Sequence, residues 1–109
     1  MASNTKYRTA VERSLTLHRE VASRIREKPA LIDAARRRVQ TWLDKGAVSH
    51  RYATEWADLL RRPTEELLDV LLADTEFAQD LRQVSPFAGV LDARTRWRLL
   101  RGTRGSTPP

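Results

Sequence analysis

Ser85-Pro86-Phe87-Ala88-Gly89-Val90-Leu91 is the stretch that decides how this chain folds. Proline, glycine and an aromatic ring fall together here, between two runs whose apolar residues recur at helical spacing. Proline and glycine punctuate regular structure, so the backbone must turn at this point. Phe87, Val90 and Leu91 surround the turn with apolar side chains that have to stay close to a core. The segment therefore reads as a packed elbow: Pro86 fixes the entry, Phe87 inserts between helices, and Gly89 relaxes the backbone.

Working outward, the preceding sequence is helical in pattern. Over about residues 6–28, Tyr7, Val11, Leu15, Ala22 and Ile25 recur at spacings of three, four and seven, with Leu17 and Val21 on an adjoining strip. Pro29 breaks this pattern and suits the first turn of a second helix near 30–45, which carries Leu31, Ala35, Val39 and Trp42 on one face. Gly46 is a C-terminal stop. Ser49 is a candidate N-cap for a third helix with Tyr52, Trp56, Leu59 and Leu60. Pro63 restarts the chain, and Glu65 and Glu66 suit the positive end of a helix dipole. Leu67, Leu68, Val70, Leu71 and Leu72 then cover most of a short, buried helix. Asp74 or Thr75 caps another short helix with Phe77, Leu81 and Val84. After the elbow, Asp92 resembles an N-cap for a last helix with Trp97 and Leu100 on one side.

Strand-like alternation is absent from this pattern. The expected fold is all-α, a compact bundle of five to six helices. Its expected limits are a flexible N-terminus at 1–5, one helical domain at 6–101 and a disordered Gly/Ser/Thr/Pro-rich tail at 102–109. The 109 residues suffice for one modest core.

Charge is segregated along the chain. Residues 1–28, 29–62, 63–92 and 93–109 carry +4, +3, −6 and +5, which gives the net +6. An acidic block thus sits between basic flanks. The chain has no cysteine, which excludes disulfides, thiolate nucleophiles and Cys-ligated zinc and fits a reducing cytoplasm. The first residues lack the apolar core of a signal peptide, and no run reaches the roughly 18 apolar residues of a membrane span. A cytoplasmic protein without membrane association is expected.

Catalytic candidates are few. His18 has no second histidine at i+3 or i+4 and no carboxylate at metal spacing, so a packing or interface role is expected. His50 follows a cap and is expected to meet local backbone or solvent. Glu65 and Asp69 share a face at i, i+4, but a catalytic pair needs burial that separates two pKa values, and these positions face away from the leucines. No phosphate loop or Ser-His-Asp signature is present. No catalytic residue, cofactor or metal is therefore expected. Arg36, Arg37 and Arg38 spread over about 200° of helix surface, since each helical step turns about 100°. With Arg24, Arg26 and Lys45 they are the candidate nucleic-acid patch.

Several strings carry a resemblance. Ser14-Leu15-Thr16-Leu17-His18-Arg19, Trp42-Leu43, Tyr52 with Trp56-Ala57, Leu81 through Leu91, and Arg96-Trp97 together resemble short bacterial proteins encoded beside a toxin gene and taken to be antitoxins or antitoxin-like partners. The resemblance spans roughly residues 10–100. It implies a non-enzymatic binding protein that neutralises a companion toxin by covering its active surface. The acidic residues Glu65, Glu66 and Asp69, together with Phe87 and Trp97, are the expected partner-binding positions, with acidic charge orienting the complex against a basic cleft. The alternative is a nucleic-acid-binding regulator, with DNA as its partner, that uses Arg24, Arg26, Arg36, Arg37 and Arg38.

Overall fold

A computed structural model describes the backbone of residues 2–104 and the side chains of residues 9–101. Six helices follow in order: α1 (Ala2–Glu27), α2 (Ala30–Lys45), α3 (His50–Leu59), α4 (Thr64–Leu71), α5 (Glu76–Gln83) and α6 (Ala93–Arg104). A single 3-10 turn at Ala88–Val90 lies in the elbow, and the described residues contain no strand. The helices continue into both expected tail segments, α1 from Ala2 and α6 to Arg104. Met1 and residues 105–109 lie outside the described residues.

The connections follow the local chemistry. Gly46 ends α2 in the left-handed region, at φ 67°, and its N–H bonds the Trp42 carbonyl. Thr75 caps α5 by accepting the Ala78 N–H, and Asp92 caps α6 by accepting the Thr95 N–H at 2.7 Å. Ser49 stands at the start of α3, but its side chain makes no cap bond; only its carbonyl engages the helix, through the Ala53 N–H.

α1 is the spine of the bundle, packing against α2, α5 and α6, while α3 lies on α2 and α4 on α5. Its inward face is His18, Val21, Ala22 and Ile25, at i, i+3, i+4 and i+7. Ile32, Ala35 and Val39 of α2, Trp56 and Leu59 of α3, and Leu67, Leu68 and Leu71 of α4 complete the core around it. Phe77 departs from the expected inward pattern and is 43% exposed, because α5 turns Ala78, Leu81 and Arg82 to the interior instead.

The elbow is built into this core. Phe87 is 1% exposed and meets the Trp56 ring edge-on, with centroids 5.9 Å apart and planes at 73°. Three further side chains hold the same segment. His18 bonds Ser85, Arg38 donates to the Pro86 carbonyl, and Arg24 donates to the Val90 carbonyl. Gly89 does not adopt a positive φ, so its role is not conformational relaxation. A Cβ there would lie 3.3 Å from the Arg38 guanidinium, and glycine admits that arginine to the elbow.

Phe87→Ala is expected to destabilise the fold by about 3–5 kcal/mol, as measured by urea denaturation. Gly89→Ala is expected to shift the exposed Arg38 guanidinium and weaken its bond to the Pro86 carbonyl, at a cost of no more than about 1 kcal/mol. In an Arg38→Ala background that cost should disappear. A penalty that persists there would place the constraint in the Gly89 backbone.

Candidate functional site

The two residue sets expected to bind partners behave differently once folded. Three of the five arginines in the basic set, Arg24, Arg36 and Arg38, also bond backbone carbonyls of the fold. Arg36 places Nε and an Nη on the Leu60 carbonyl at 2.9 and 2.7 Å and pairs with Asp33. It thereby closes the C-terminus of α3, where helix carbonyls lack intrahelical donors. Arg38 and Arg24 hold the elbow, and Arg24 also pairs with Glu20. Arg26 lies 3.6 Å from Glu65, so one expected nucleic-acid contact and one expected partner contact face each other. Both are exposed, and such a pair is worth only about 0–1 kcal/mol. Arg37 is exposed. The five arginines therefore do not present one free patch.

In the acidic and aromatic set, Glu66 and Asp69 are exposed on α4 with Glu65. Phe87 must be withdrawn as a docking residue: its ring is sealed against Trp56 and a partner cannot reach it without opening the core. Trp97 is 60% exposed. Its neighbours explain why. α6 buries Thr95 and packs Leu99 against the core, which turns the opposite side outward. At about 100° per residue, Arg94, Trp97, Arg98 and Arg101 fall within an arc of about 100°, and all four are exposed. The Arg101 guanidinium stacks 4.5 Å from the Trp97 ring centroid, holding the indole in place. No acidic residue interrupts this strip, and residues 93–101 contain none. The three tryptophans thus divide into a buried one, Trp56, a half-buried one, Trp42, and an exposed one, Trp97.

The other side of α6 faces a cleft. Arg96 and Leu100 line it with Arg13, Ser14 and His18 of α1, Arg82 of α5, and Ser85 and Phe87 of the elbow. His18 is 7% exposed. Its Nδ1 donates to the Ser14 carbonyl at 2.8 Å, so in the neutral ring Nε2 accepts from the Ser85 hydroxyl at 2.9 Å. Ser85 Oγ in turn accepts the Phe87 N–H at 3.1 Å. Burial pushes the His18 pKa below its usual 6.5, and the positive charges of Arg82 and Arg96 push the same way, against a raising effect from the Ser14 carbonyl bond. A neutral histidine wired to a serine is not by itself a catalytic pair. Here the serine oxygen is committed to the Phe87 N–H, and the described residues hold no group of three or more metal-ligating side chains. His50, at the first position of α3, is exposed.

Arg82 is the residue that sequence reasoning passed over. It is the sole base in an acidic block, which suggests a solvated charge, yet it is 4% exposed. One Nη donates to the carbonyls of Leu71 and Ala73 at 2.7 and 3.0 Å, closing the C-terminus of α4. Its position one residue after Leu81 on an amphipathic helix is the only signal for this, and it is a weak one.

His18 sets a pH dependence. The unfolded chain takes up a proton at His18 near pH 6.5 and the folded chain resists it, so the stability from His18 is fully present above pH 6.5 and declines as pH falls below it. The melting midpoint is expected to drop between about pH 7.5 and about pH 5, and His18→Gln should flatten that slope. An equal slope in both proteins would show that another group titrates. Compared with known proteins, no family model, no curated protein and no solved structure matches this chain.

Proposed function

We propose that this chain is a non-enzymatic, antitoxin-like binding protein that neutralises a companion toxin by covering its active surface, with α6 as the docking element. The observation that carries this reading is Trp97, a tryptophan 60% exposed on a helix whose other side is anchored in the bundle. Tryptophan and arginine are the residues most enriched among binding hot spots, because a large rigid ring and a planar charged fork gain much on desolvation. Trp97 with Arg94, Arg98 and Arg101 combines both types on one exposed strip. Such a strip complements an acidic surface with an apolar recess. This reverses the charge expected from the acidic block, one of whose residues, Glu65, already pairs with Arg26.

The same strip favours one second reading. Three arginines beside a stacking ring also suit a nucleic-acid backbone and an unstacked base. The two readings separate by salt: phosphate binding weakens with a log–log slope of about −0.9 for each phosphate neutralised on duplex DNA.

Co-expression with the product of the adjacent gene should yield a complex and relieve any growth defect that product causes. Trp97→Ala is expected to weaken the complex by about 30-fold or more while leaving the melting midpoint unchanged. Absence of a complex removes the companion-protein reading, and undiminished affinity of Trp97→Ala removes α6 from it.

A further inference from the structure

We propose that the cleft bounded by α1, α5, α6 and the elbow binds a small monocarboxylate with an apolar body. The cleft encloses about 380 Å³, which falls within the roughly 300–1,000 Å³ of small-molecule sites. Half-buried Leu17 and Leu100 form its apolar walls, with the buried Val21 and Phe87 side chains behind them. Three arginines, Arg13, Arg82 and Arg96, also line it, and no aspartate or glutamate does. Positive charge therefore converges on a mostly apolar space without a counter-charge of its own.

Arg82 makes this more than a basic surface. Its guanidinium is buried, and while one Nη serves the end of α4, its Nε and other Nη have no hydrogen-bond partner. A buried guanidinium with two idle nitrogens is costly unless something nearby offsets its charge. The neighbouring histidine offers no help. His18 is held neutral by burial and by Arg82 and Arg96 themselves. Asp74 offsets part of the Arg82 charge from outside the cleft, but no described carboxylate lines the cleft beside Arg13 and Arg96, and that is the place an anion would take.

The chemistry of the walls narrows the class. A planar carboxylate matches the fork of an exposed guanidinium such as Arg96, which reaches the cleft from α6. Arg13 flanks it from α1, and buried Arg82 sets the potential behind them. The apolar walls favour a hydrocarbon body over a fully hydrated dianion such as phosphate. The site is separate from the strip that carries the proposed docking function: Arg96 and Leu100 point to the cleft, while Arg94, Trp97, Arg98 and Arg101 lie on the exposed strip.

Hexanoate, hexanamide and inorganic phosphate are the probes, titrated into the full chain at about pH 7.5 and followed by amide chemical shifts and melting midpoint. Hexanoate is expected to shift resonances of His18, Ser85 and Arg96 and to raise the midpoint. Isosteric, uncharged hexanamide should bind at least about tenfold more weakly, a loss typical of one missing charge-assisted bond. Arg96→Gln should cost hexanoate a similar factor while the protein melts as before. Arg82→Gln is unsuitable as the main test, since Arg82 also closes α4. Equal binding of hexanoate and hexanamide overturns the proposal, as does undiminished affinity in Arg96→Gln or the absence of any localised shift. Phosphate binding as tightly as hexanoate overturns the apolar-body class. Because Arg96 lies off the docking strip, each of these failures leaves the companion-binding test to be judged on its own.

Discussion

The insertion of Phe87 into the core beside Trp56 is the constraint on which the rest of this structure depends. Burying an aromatic ring removes a large apolar area from water, so a ring inserted from a turn ties that turn to the core. Here it is buried completely, edge-on to the Trp56 ring. That fixes the path of the chain between α5 and α6. His18, Arg38 and Arg24 then hold Ser85, Pro86 and Val90 from α1 and α2. With the elbow held at Ser85, Pro86, Phe87 and Val90, the start of α6 is anchored where the helix lies along α1.

The arginines show how a basic composition can mislead. Seventeen of the 20 basic residues are arginine. Arg36 closes α3, Arg82 closes α4, and Arg38 and Arg24 satisfy carbonyls of the elbow. Short helices joined by tight connections leave many carbonyls without donors. A guanidinium can serve such carbonyls through several N–H groups in a fixed plane while its stem packs on apolar neighbours. Several guanidinium groups expected to attract nucleic acid therefore also hold the fold together, while Arg26, Arg36, Arg37 and Arg38 stay exposed.

What remains for function is set by the two sides of one helix. Thr95 and Leu99 seat α6 on the bundle. One flank shows Trp97 with three arginines to solvent, and the other brings Arg96 to a cleft already charged by Arg82. The same helix thus borders both the exposed strip and the half-open cleft. His18 contributes to the second site by bonding the serine that positions its wall.

The sequence by itself determined the helical class, the breaks at Pro29, Gly46 and Pro63, the cap at Asp92, a choice of Asp74 or Thr75 for the α5 cap, and the elbow with its inserted phenylalanine. These are local matters. Spacing of apolar residues, left-handed backbone at a glycine, and a short polar side chain facing a free N–H are all decided within a few positions of the chain. Ser49 shows the limit even there, since a good capping residue in the right place makes no cap bond. Tertiary structure alone decided which charges stay free and which tryptophan faces water. Arg82 and Arg94 are the same residue type in polar surroundings, yet one is buried under α4 and the other is exposed on α6. The difference lies in which unpaired carbonyls the folded chain brings within reach of each side chain. Those carbonyls belong to other helices, beyond the reach of any local pattern.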